Sequence, residues 1–159
     1  MNEQPTDRSE LAEPALTTDP PRTGYGLLVG VLAGLAVAVA YGLAAELLGL
    51  TFSLPVVGLI GGWVIGTAVA YGAWGERSHA PSRPMRGAAA VVGVGAWLVG
   101  LGVAYVVSQA LIPQATNSLL ERLSLSGFLD YLFGTFDFVR LLHAVALLLL
   151  AVVAWRSAR

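Results

Sequence analysis

Few ionisable side chains fall inside the apolar stretches of this chain, and three of them stand out: Glu46, Arg140 and His143. A carboxylate, a guanidinium and an imidazole at similar depth could move a proton or hold an anion. His143 is the member whose ordinary pKa lies near neutral. Arg140 and His143 are three residues apart, so a helix puts them on one face. Ionisable groups within apolar segments are usually paired. The spacing therefore predicts a Glu46–Arg140 ion pair with His143 one turn deeper, and Tyr41, Tyr105 and Gln109 are placed to add hydrogen bonds. Two readings follow. In the functional one the cluster handles protons or anions. In the structural one it clamps the first helix to the last, or its long side chains snorkel to the surface. Position favours the structural reading. Transport sites lie near the bilayer midplane, and the central turns of the apolar runs carry no charge.

Other chemistries are excluded or unsupported. The chain has no cysteine, which removes disulfides, thiolate metal sites, iron–sulfur clusters and thiol redox enzymes. Its two histidines, His79 and His143, cannot make a zinc site without carboxylates. The net charge of −1 gives no reason to expect a nucleic-acid partner. "GYGLLVG" and "GVGAWLVG" lack the G-x-G-x-x-G spacing of a dinucleotide loop. No catalytic residue, metal or cofactor is expected, and the chain is read as a non-enzyme.

The elements that must position the cluster are helices. The 159 residues are 56% hydrophobic and 12% charged, against about 25% charged in an ordinary soluble domain. Four apolar runs, about 24–50, 55–75, 87–112 and 138–155, are each long enough to cross a ~30 Å hydrocarbon core. The expected fold is all-α: an integral membrane four-helix bundle over 24–157. Residues 1–23, rich in Pro, Glu, Asp and Thr, read as a disordered cytoplasmic tail. Between the third and fourth runs, residues 117–134 are amphipathic: Leu125, Phe128, Leu129 and Leu132 recur at helical spacing, beside Glu121, Arg122 and Asp130. This segment reads as a helix lying in the membrane surface, or as a re-entrant hairpin broken at Gly127 and Gly134.

Small residues fall in lines four apart: Gly26, Gly30, Gly34, Ala38 and Gly42 in the first run, and Gly58, Gly62, Gly66 and Ala70 in the second. Gly100 lies in the third run with Ala96, Ala104 and Ser108. Helices in lipid gain little from hydrophobic burial, so small residues let their backbones meet and dispersion hold them. Such grooves serve packing within the bundle or a homo-oligomer. The leucine-rich fourth run lacks one, so helices one to three are expected to pack closely, with the fourth against them or facing lipid. Trp63, Trp74, Trp97 and Trp155 read as interface anchors or packing.

All nine basic residues are arginine. Arg8 and Arg22 precede the first run, Arg77, Arg83 and Arg86 lie around the second loop, and Arg156 and Arg159 follow the last run. The first loop has none and the third only Arg122. The positive-inside rule then places both termini in the cytoplasm of a multi-pass protein of the bacterial cytoplasmic membrane.

"VGLIGGWVIGTAVAYG", the short arginine loop after it, and the closing "FLDYLFGTFDFVRLLHAVALLLLAVVAWR" resemble an uncharacterised bacterial family of small four-transmembrane-helix proteins. The resemblance covers about residues 24–157 and implies the fold, with no activity or site residues attached. The small multidrug transporters also carry a glutamate in helix one, but Glu46 lies near a helix end rather than its middle. The function expected is that of a scaffold, accessory subunit or assembly factor, with the lipid bilayer and other membrane subunits as partners. The alternative is a small transporter or channel using Glu46, Arg140 and His143.

Overall fold

The computed structural model describes residues 22–47, 53–75, 83–112, 118–134 and 138–158. They form six helices: α1 (Thr23–Glu46), α2 (Leu54–Trp74), α3 (Arg83–Ala110), α4 (Leu119–Arg122), α5 (Leu125–Phe133) and α6 (Phe138–Ser157). Four of them, α1, α2, α3 and α6, are long and apolar enough to cross a membrane. Prolines mark two of the starts. Pro55 sits in the first turn of α2, and Pro84 in the first turn of α3. There the missing amide costs nothing and the fixed φ suits the helix. Pro84 explains why α3 begins at Arg83 rather than near residue 87: a proline that breaks a helix interior is at home in a first turn. Of the tail expected over 1–23, only Arg22 and Thr23 are described. Thr23 opens α1, and the Arg22 amide donates to the Ala73 carbonyl at 3.0 Å.

The four long helices make a four-cornered bundle. α1 packs on α2 and α3, and α6 packs on the same two from the opposite corner. α2 and α3 also meet across the middle, whereas the α1 and α6 backbones do not come together. Small residues line the seams. A Cβ on Gly26 would lie 2.8 Å from the Ala73 Cβ, and one on Gly42 would lie 2.7 Å from the Gly100 carbonyl oxygen. On α2, a Cβ on Gly58 would meet the Ala146 carbonyl oxygen at 2.6 Å, and one on Gly62 the Leu150 carbonyl oxygen at 2.6 Å. Real Cβ atoms do not approach so closely, so these backbones are in direct contact.

Those last contacts decide between the two placements expected for the fourth helix, against the others or facing lipid. The leucine-rich α6 is seated along the glycine line of α2, and this is the most extensive contact in the bundle. The reason is the helical period. Ala146, Leu150 and Ala154, four apart, are fully buried, while Leu141 and Leu148 face outward. Glycine on one helix makes the groove, so the other needs only a regular face to lie in it. Much of the interior is built from small side chains, with Ala38, Ala89 and Ala154 fully buried beside Ile65 and Leu150, and many large apolar side chains are outside. Leu32 is 60% exposed and Leu148 64%. Outward-facing leucine at this density matches a hydrocarbon surrounding rather than water.

The segment over 117–134 is two helices rather than one. Ser118 caps α4 with a reciprocal pair: its hydroxyl accepts from the Glu121 amide, and the Glu121 carboxylate accepts from the Ser118 amide at 3.0 Å. Six residues after Ser118 the chain is recapped, because Ser124 accepts from the Gly127 amide at 3.0 Å and starts α5. Two serine N-caps so close together divide the amphipathic pattern, since each fixes an extended residue where a continuous helix needs a helical one.

Candidate functional site

The polar residues gather where α5 meets the ends of α1 and α6. Glu46 is the last residue of α1, and Arg140 lies in the first turn of α6. Both line a cavity of about 650 Å³, together with His143. Its cause is the bundle itself. α1 and α6 stand at opposite corners, so their diverging ends leave space between them. α5 covers it with Tyr131, Leu132 and Phe133.

Tyr131 joins the two charged residues. Its hydroxyl donates to Glu46 Oε1 at 2.7 Å, and its backbone carbonyl accepts from Arg140 Nη2 at 3.4 Å. Arg140 Nη2 also donates to the Asp130 carbonyl at 3.2 Å. The guanidinium thus takes up carbonyls at the C-terminal end of α5, where the helix dipole favours a cation. Gly134 makes room for it: a Cβ there would lie 2.7 Å from Arg140 Nη2. Burial, and then the hydrogen bond to Glu46, push the Tyr131 hydroxyl well above its ordinary titration range. It stays a neutral donor at every physiological pH.

His143 lies one turn further along α6 and is held from two sides. Tyr41, fully buried on α1, places its hydroxyl 2.6 Å from His143 Nδ1. That contact spans the diagonal that the backbones leave open. Either atom can be the donor in this pair, according to the imidazole tautomer. The Trp97 indole nitrogen on α3 donates to the His143 carbonyl at 3.1 Å. Deeper along α3 and α6 the lining is apolar, with Leu101, Ala144 and Leu147.

α5 is fixed to the bundle from its other side as well. The Tyr105 hydroxyl lies 3.4 Å from the carbonyls of Arg122 and Ser124, and its ring meets Phe128 and Tyr131 at centroid distances of 5.6 and 5.7 Å. A Cβ on Gly127 would sit 2.5 Å from the Tyr105 hydroxyl, so Gly127 lets α5 lie down on α3. The Arg122 guanidinium donates to the Gln109 carbonyl. Gln109 therefore contributes its backbone here.

The structure thus brings Glu46, Arg140, His143 and Tyr41 to one place and puts Tyr105 behind α5. Sequence reasoning missed Tyr131 and Trp97. Tyr131 sits next to Asp130 on an amphipathic segment, where a tyrosine reads as surface, and only the return of α5 over the bundle turns it inward. Trp97 resembled the other tryptophans in its surroundings. His79 and Asp137 lie outside the described residues. Among the described residues no three His, Asp or Glu side chains come together as metal ligands. Comparison with known proteins finds no matching family model, no matching curated protein and no matching solved structure.

Proposed function

We propose that this protein is a non-enzymatic integral membrane protein of the bacterial cytoplasmic membrane that serves as a scaffold or accessory subunit. The observation that carries this reading is the closed middle of the bundle. Gly58 and Gly62 bring the α2 and α6 backbones into contact, and Gly26 and Gly42 do the same for α1 with α2 and α3. Helices packed at that distance are held as a frame, and the lipid-facing leucines give partner helices a surface to pack on. In this reading both termini lie in the cytoplasm and α4 and α5 lie at the outer surface. Native mass spectrometry of the chain extracted gently from its own membranes tests it. A reproducible stoichiometric complex with other membrane subunits is expected. A lone monomer active in transport would overturn it.

One observation favours a second reading, a small transporter: Glu46, Arg140 and His143 share one cavity. Under it, Glu46→Gln would abolish flux in proteoliposomes while leaving the fold intact. Under the scaffold reading, no flux depends on Glu46.

A further inference from the structure

We propose that the cavity beneath α5 binds an uncharged amphiphile from the bilayer, with a hydroxyl or carbonyl head and a hydrocarbon tail. The cavity's size lies within the range of small-molecule sites, about 300–1,000 Å³. Its chemistry is graded along α6. Arg140 and Glu46 stand at the end covered by α5, and Leu147 lies about 10 Å deeper at 1.5 Å per residue. Leu101 and the Trp97 indole, well inside α3, continue that apolar depth. A ligand with a polar head and an apolar body matches such a gradient.

The head chemistry follows from charge. Beside His143, the lining carries one carboxylate and one guanidinium, whose charges cancel. An anionic head would meet Glu46, and a cationic head would meet Arg140, and each encounter is unfavourable beside half-buried charges. A hydroxyl can donate to the Glu46 carboxylate and accept from Arg140, and an ester carbonyl can accept from Arg140. Neither leaves a buried charge uncompensated. This inference rests on the chain lying in a bilayer, though not on its being a scaffold.

Trp97 lines the cavity, while Trp63 faces outward and is 57% exposed. A chain bearing Trp63→Phe, Trp74→Phe and Trp155→Phe therefore reports on the cavity, and one retaining only Trp63 reports on the bilayer. Both go into nanodiscs and are titrated with a dibrominated monoacylglycerol, whose bromines quench indole on contact. A dibrominated fatty acid and a dibrominated phosphatidylcholine serve as the charged and bulk comparisons. Trp97 should be quenched saturably by the monoacylglycerol, with half-quenching at about tenfold lower concentration than for the ionised fatty acid. Ala144→Phe, which fills the cavity, should remove the saturable part. Should that variant not fold, Val139→Phe does the same from the rim. Quenching of Trp97 that rises linearly, equally for all three lipids, overturns the site. Tighter quenching by the fatty acid overturns the uncharged head. Trp63 left unquenched by the phosphatidylcholine overturns the bilayer placement itself, a failure separable from the other two.

Discussion

The Tyr131 hydroxyl is the hinge of the polar cluster at the scale of single residues. It satisfies a half-buried Glu46 carboxylate and belongs to the same peptide segment that holds Arg140. Removing the hydroxyl takes that donor away from the carboxylate, a loss of about 1.5–3 kcal/mol for a hydrogen bond to a charged group. Tyr131→Phe is therefore expected to lower the thermal midpoint in detergent, and Glu46→Gln to lower it less, since an amide oxygen still accepts. The pH dependence has a definite sign. The folded-state pKa of Tyr131 is raised above its unfolded value of about 10. Its contribution is thus whole below pH 10 and is lost as pH rises through the folded value. The stability gap between the native chain and Tyr131→Phe should be constant from neutral pH to about pH 9, measured by denaturant titration in detergent. A gap that closes near pH 7 would mean that another group, not the tyrosine, governs it.

Among the elements, the α2–α6 seam and the α4–α5 segment fail in different ways. Gly62→Ala would drive a methyl to 2.6 Å from the Leu150 carbonyl oxygen, with Val153 crowding the same space. Backbone has to move, and overpacking of this kind costs about 1–3 kcal/mol. Gly95→Ala is the matched control, because nothing lies within 4 Å of the new methyl, and it should be neutral or stabilising by up to about 1 kcal/mol. Unfolding in mixed micelles by SDS titration compares the two. If both cost the same, the seam is not set by the glycine groove. In the outer segment, Ser124→Ala removes the α5 cap and should cost about 1 kcal/mol locally. Hydrogen exchange should then quicken in 125–133 while α2 and α6 keep their protection. The capping pair at Ser118 and Glu121 was legible in the sequence as S-x-x-E, and so was Ser124 as a second cap. The leucine period, which runs straight through both, hid the break.

For the whole molecule, the absence of cysteine makes topology directly testable. Thr23 opens α1 at one end of the bundle, and Ser118 precedes α4 at the other. Thr23→Cys should react with a membrane-impermeant maleimide only after the cells are opened, and Ser118→Cys in intact cells. The reverse pattern would invert the arginine-based orientation. The amino-acid sequence alone determined that the chain builds four long apolar helices, because length and the lack of charge are properties of each segment by itself. It also marked Glu46, Arg140 and His143, because charges in apolar runs are rare enough to stand out. Only the tertiary structure decided which helices are neighbours. Glycine lines on α1, α2 and α3 allow several pairings, and the choice of α6 for the α2 groove depends on how all four fit at once. The same arrangement put α1 and α6 at opposite corners, opened the cavity between their ends, and turned Tyr131 from an ordinary amphipathic-helix tyrosine into the partner of Glu46.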